Sequence, residues 1–181
     1  MTTAEAKAHL RVDTTADDTY IGTLITVARQ NVEAHLRRAL IHQTWELVLD
    51  EWPGRVVVLP KPPLASVTSI KYTDRSAVES TVSSGSYLVD TDTEPGRVVL
   101  KSGETWPAVV LREASAVRIR FVAGYGAAGS SVPQAIRQAI LLVVGSLYEN
   151  REDVLVAQGV SIGVLPFGVE ALLAPWRIFG W

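Results

Sequence analysis

The period of the apolar residues changes twice along this chain, and that change restricts the fold more than any other feature. Ile21, Leu24, Ile25, Ala28, Val32, Leu36 and Leu40 recur at helical spacing and make one stripe. Asp17 and Asp18 stand at the start of this stretch and Arg37 and Arg38 at its end, the order that complements a helix dipole. The spacing predicts a long helix over 15–41. Helical spacing returns only at Ile136, Ala139, Ile140, Val143, Val144, Leu147 and Tyr148, with Ser131 as the expected N-cap and Pro133 in the first turn. Two amphipathic helices so far apart in sequence bury their stripes most simply against each other. The fold class is therefore α+β: a small helical bundle of two long amphipathic helices and short terminal helices, with an inserted antiparallel β module. The expected divisions are 1–43 for the N-terminal helices, 44–126 for the β module, 127–153 for the third helix and 154–181 for an apolar segment, a short helix and a tail.

The period between the helices is two. Trp45, Leu47 and Leu49 alternate with Glu46, Val48 and Asp50, and Val117, Ile119 and Phe121 alternate with Arg118, Arg120 and Val122. Further strands are expected over 55–59, 67–72, 86–89 and 97–100, separated by Trp52-Pro53-Gly54, by Pro60 to Pro63, by a polar loop around 74–79 and by Glu94-Pro95-Gly96. The alternation predicts an antiparallel sheet with one wet face. Ahead of the first long helix, Thr2 and Glu5 have capping-box spacing and predict a short helix ending near His9 or Leu10. A second short helix is expected over 169–173.

Composition excludes several kinds of chemistry. The 181 residues contain no cysteine, which removes disulfide scaffolds, cysteine zinc sites, iron–sulfur clusters and cysteine nucleophiles. Three isolated histidines, His9, His35 and His42, offer little for a metal centre. A net charge of −2 provides no global basic field for nucleic acid. Charged residues are 20% of the chain, below the average of about 25%, and 48% are hydrophobic, so some apolar surface is expected to meet partners. The chain start lacks the apolar core of a targeting signal, and the runs 139–147 and 154–169 are too short or too interrupted to span a membrane, so a soluble, cytoplasmic product is expected.

Two motifs invite a chemical reading and lose it in context. Gly124-x-Gly126-x-x-Gly129 lies between a strand and a helix, as in a dinucleotide site. The preceding strand alternates with arginines instead of being apolar on both faces, and no second strand follows to carry a ribose-binding acid. A flexible strand-to-helix turn is the better reading. Asp90-x-Asp92-x-Glu94 has calcium-loop spacing, but Pro95-Gly96 follows and the closing glutamate is absent, which favours a solvated hairpin turn. No acid/base pair, nucleophile elbow, metal set or cofactor site assembles, and the chain is not expected to be an enzyme.

Five tryptophans remain. Trp45, Trp52 and Trp106 belong to the sheet, where they could cover the core or, as the alternative function, stack on a ligand such as a carbohydrate. Trp176 and Trp181 lie in a terminal segment that is expected to bury little against its own domain. Pro175, Trp176, Arg177, Ile178, Phe179 and Trp181 are therefore candidates for a partner-binding anchor. Tyr148, Glu149, Arg151 and Glu152 close the third helix with charges of both signs and are candidates for a subunit interface.

The order of short signals along nearly the whole chain resembles the head–tail connector (adaptor) proteins of tailed bacteriophages, prophages and gene-transfer particles. The helix pattern from Ala16 to Leu40 is followed by Gln43-Thr44-Trp45, Leu49, Trp52-Pro53 and Leu59-Pro60. Pro63-Leu64-x-Ser66-Val67-x-Ser69-Ile70-x-Tyr72, Tyr87-x-Val89-Asp90 and Trp106-Pro107 continue it. Then come Val117-Arg118-Ile119-x-Phe121-Val122-Ala123-Gly124-Tyr125-Gly126, Val132-Pro133, Tyr148-Glu149-Asn150-Arg151-Glu152, Leu165-Pro166 and Leu172-Leu173-x-Pro175-x-Arg177. Trp176 stands where the family has tyrosine, and Ile178 to Trp181 has no counterpart in the pattern. The resemblance implies a non-catalytic virion protein, made in the host bacterial cytoplasm and placed at the head–tail interface. It would form a ring, usually of twelve subunits, docked under the portal by its C-terminal region. The ring would receive a stopper or tail-completion protein on its other side, and double-stranded DNA would pass through without sequence-specific binding. No cofactor and no membrane are implied.

Overall fold

In a computed structural model, residues 1–151 and 167–178 are described. The chain is a mixed α and β protein with antiparallel sheets, and it divides into two compact units, Met1–Arg37 with Val132–Trp181, and Arg38–Ser131. Among the described residues, no helix is long and apolar enough to cross a membrane.

The first unit is helical. Helix α1 (Thr3–Leu10) opens with the capping box expected from its sequence: the Thr2 hydroxyl accepts from the Glu5 N–H at 3.2 Å, and the Glu5 carboxylate accepts from the Thr2 N–H at 2.7 Å. Helix α2 runs over Asp18–Leu36, shorter than the 15–41 expected. Arg37 takes a left-handed conformation (φ 57°) and its N–H turns back to the carbonyls of Glu33 and Ala34, so the helix closes before the arginine pair. Leu40, the last member of the stripe, is buried in the second unit instead. Helix α3 (Gln134–Glu149) starts after Pro133 and not after Ser131. Ser131 closes a 3₁₀ turn, and the proline, which has no N–H to satisfy, provides the helix entry. Ile21, Leu24, Ala28, Val32 and Leu36 of α2 and Ile136, Ala139, Ile140, Val143 and Val144 of α3 are all buried, and the two helices pack on each other. Leu147 and Tyr148, expected on the buried stripe, are half-buried. Helix α4 (Phe167–Leu173) starts two residues earlier than expected and packs on α3, burying Val169 and Leu173 completely.

The second unit holds seven strands in two sheets, where one sheet was expected. Strands β1 (Gln43–Leu49), β7 (Val117–Ala123), β3 (Leu64–Thr73) and β4 (Glu79–Thr81) form the first, in that order. Strands β2 (Val56–Val58), β6 (Arg97–Leu100) and β5 (Tyr87–Asp90) form the second. Strand β4 lies at the end of the stretch expected to be a polar loop: Asp74 accepts from the N–H groups of Ser76 and Val78, and this turn folds Glu79 back against Thr73. One apolar core joins the two sheets, with Ile70, Val117, Ile119 and Phe121 from the first and Val57, Tyr87 and Val98 from the second.

The glycine motif has a structural role in this unit. Gly124 (φ 129°) lies where the chain of residues 40–42 crosses that of 124–126, with His42 N–H donating to the Gly126 carbonyl and Tyr125 N–H to the Leu40 carbonyl. A Cβ on Gly124 would stand 2.4 Å from the Ile41 carbonyl carbon and oxygen, both backbone atoms that cannot move aside. The segment is therefore a tight backbone crossing, not a flexible turn.

Gly124→Ala should lower stability by about 2 kcal/mol or more in urea unfolding, through both the contact and the positive φ. Ile140→Asp places a charge in the α2–α3 core and should prevent folding, read by loss of the cooperative thermal transition. A native-like Ile140→Asp protein would contradict the helix pairing.

Candidate functional site

The candidate interface residues at the end of α3 converge on α2. The Tyr148 hydroxyl donates to the Asp17 carboxylate at 2.6 Å, and the Arg151 guanidinium pairs with the same oxygen at 3.3 Å. That guanidinium also lies over the Tyr20 ring at 4.8 Å and the Tyr148 ring at 5.0 Å. Tyr148 and Arg151 thus act first within their own subunit, as a clamp between the start of α2 and the end of α3. Glu149 is exposed, and Glu152 falls outside the described residues. Two further links tie α1 into this unit: Lys7 to Asp18 at 2.7 Å, and Glu5 to Arg137. Asp17 was legible as a helix-start acid, but its partner 131 residues away was not.

The clamp has an electrostatic signature. The hydrogen bond from Tyr148, helped by the charge of Arg151, holds the Asp17 carboxyl below its ordinary value of 3.8. Donation to Asp17 raises the Tyr148 hydroxyl above its ordinary 10.0. Stability from Asp17 is therefore present above its ordinary value and lost as pH falls through the folded one. Stability from Tyr148 is present below 10.0 and lost as pH rises through its higher folded value.

The candidate anchor is rooted in the helical unit through Ile178. Val169 and Leu173 are fully buried, Ala174–Trp176 form a 3₁₀ turn, and the Ile178 N–H donates to the Leu36 carbonyl at 3.3 Å. The expectation that this segment buries little against its own domain is corrected as far as Ile178, because α4 supplies the apolar root that the tail sequence alone lacks. Pro175 and Arg177 are exposed and Trp176 is half-buried. Phe179 and Trp181 lie outside the described residues.

The remaining motifs resolve into local structure. Asp90 accepts from the Arg97 guanidinium at 2.8 Å and from the Asp92 N–H, and Arg97 holds its carboxyl below the usual range. Glu94 instead pairs with the buried Arg38 at 2.6 Å, so the carboxylates of this loop are committed separately. Among the described residues, no group of three His, Asp or Glu side chains could hold a metal ion. Trp52 and Trp106 stack face to face (5.2 Å between centroids, 4° between planes), Tyr72 tilts against Trp52, and the Trp106 indole donates to the Pro53 carbonyl. These rings pack against one another and against the sheet core.

The fold joins a helical unit and a unit of two antiparallel sheets. A family model described as "Head completion protein" matches residues 1–163. The chain belongs to the head completion protein family, and it is a structural virion protein of the head–tail connector class, not an enzyme. Three similar solved chains come from particles. One is in the neck of an empty GTA particle computed with C6 symmetry (30% identity, TM-score 0.82, covering 100% of this chain and 91% of that one). Another is in the virion of a native gene transfer agent particle (29%, 0.82, 100% and 91%). A third is in the neck of a native GTA particle computed with C12 symmetry (29%, 0.79, 99% and 89%). No curated protein matches the chain.

Tyr148→Phe should move the Asp17 titration up toward its ordinary range and shift the acid-unfolding midpoint to higher pH. Carboxyl NMR on the two proteins reads the change directly, and an unmoved Asp17 would show that the clamp does not form.

Proposed function

We propose that this chain is the adaptor ring of a head–tail connector, placed under the portal and extending the DNA channel toward the tail. The observation that carries the reading is the likeness over the full chain to a protein in a particle neck, at 30% identity and a TM-score of 0.82. The C12 symmetry of a similar neck supports twelve copies. In this reading the helices of 1–43 and 127–153 form the bundle of each subunit, with the 44–126 module inserted and 154–181 serving the partners. A ring of chains with net charge −2 is mildly acidic, so DNA can pass without adhering, since adhesion to its backbone depends on Lys and Arg. A stopper or tail-completion protein binds the side away from the portal.

The docking element on the portal is 175–181. The α4 root holds its start, and Pro175, Trp176, Arg177, Ile178, Phe179 and Trp181 supply the aromatic and charge-assisted contacts. With Tyr148 and Arg151 engaged inside the subunit, Glu149 and Glu152 are the members of that cluster left to the neighbouring copy.

Ending the chain after Ile178 should leave the thermal transition of the protein unchanged and abolish its binding to portal-bearing capsids in co-sedimentation. Leu173→Asp should instead unfold the helical unit. Full docking by the truncated chain would remove Phe179 and Trp181 from the portal contact.

A further inference from the structure

Among the described strands, β1 is the one long sheet edge. The other edges are short: β4 and β2 have three residues each and β5 has four. Strand β1 has seven, in unbroken register with β7, and it carries no Pro, Lys or bulge, the devices that keep a long edge from recruiting another chain. Among the described residues, none of 44–49 makes a backbone hydrogen bond on the side away from β7. The core is open at the same edge. Val117, Ile119 and Phe121 on β7 are fully buried, whereas Leu49, Leu47 and Trp45 directly opposite them are only partly buried. The Trp45 indole N–H has no hydrogen-bond partner among the described residues.

The sequence holds a segment with the matching pattern. In 154–165, outside the described residues, β-branched side chains stand at Val154, Val156, Val160, Ile162 and Val164, with Gln158 in phase. Ala157, Gly159, Ser161 and Gly163 fall between them, and no charge interrupts the run. This is strand alternation with one bulky and one slight face. We infer that residues 160–165 of a second copy add to β1 as a strand. Val160, Ile162 and Val164 then continue the core row beyond Trp45, Leu47 and Leu49, and the slight face lies beside Thr44, Glu46 and Val48. The backbone groups of the added strand pair with the free edge and offer an acceptor to the Trp45 indole. Length permits it. Residues 152–166 connect α3 to α4, so the segment can extend about 25 Å and return. The six residues 160–165 span about 20 Å as a strand, close to the length of β1. The inference rests on the ring reading above and names the contact that would build the ring. Each copy offers the edge on its sheet unit and the segment from its helical unit, a head-to-tail contact of the kind that closes rings.

The test is cross-linking in the full chain assembled on portal. The sequence has no cysteine, so introduced ones are the only thiols of this chain. Proteins with one cysteine each, Thr44→Cys or Val48→Cys on the exposed face of β1 and Ser161→Cys or Gly163→Cys on the segment, are mixed in pairs, assembled and oxidised. At least one pair should give a mixed dimer on a non-reducing gel, identified by mass spectrometry. Ile162→Asp should lower ring assembly at least about tenfold in mass photometry, because a charge replaces an apolar side chain on the core row, and leave the thermal transition of the free chain unchanged. If wild type forms no ring, the ring reading and this contact both fall. If rings form and no mixed pair cross-links, or Ile162→Asp assembles as well as wild type, the contact alone is wrong. A link found only within single chains that carry both cysteines, or a lower thermal transition for Ile162→Asp, would place the segment on its own copy and overturn the inference.

Discussion

The packing of α2 on α3 is the constraint on which the rest depends. The two stripes are separated by the whole sheet unit, so neither helix can bury its apolar face until distant parts of the chain meet. Ten buried side chains on the two helices provide that meeting, and burying each contributes about 1–3 kcal/mol relative to leaving it exposed. Once the helices pair, α1 and α4 have a surface to cover; Glu5 and Lys7 tie α1 to Arg137 and Asp18, and Asp17 ties the start of α2 to Arg151 beyond the end of α3. The same pairing forces the inserted chain to leave after α2 and return before α3. Within the sheet unit, the close backbone crossing at Gly124 is what requires a glycine there.

A protein built this way has its chemistry on its surfaces. The tryptophans of the sheet stack on each other, and the loop acids are neutralised one by one. The chain is a structural member of the head completion protein family.

Much of this was legible in the sequence, and the failures have specific causes. The helical stripes, the capping box at Thr2 and most strands follow from periodicity, because apolar burial dominates those elements. The end of α2 was overrun because Leu40 continues the stripe numerically while Arg37 turns the backbone left-handed, a conformation that no spacing rule detects in an arginine. Strand β4 was hidden because its turn depends on the Asp74 side chain and its residues are polar. The link from Tyr148 and Arg151 to Asp17 had no signal in the sequence, which shows charges near one another along the chain but not the partner that meets them from afar.

The central claim is that copies of this chain form the ring between portal and tail. A cryo-electron microscopy reconstruction of the neck of a particle carrying this chain tests it most directly. The account predicts a closed ring of copies beneath the portal, each fitting the helical unit and the two sheets as separate bodies, with the C-terminal segment reaching the portal. A neck whose ring is built by another protein, or density for this chain elsewhere in the particle, would contradict it.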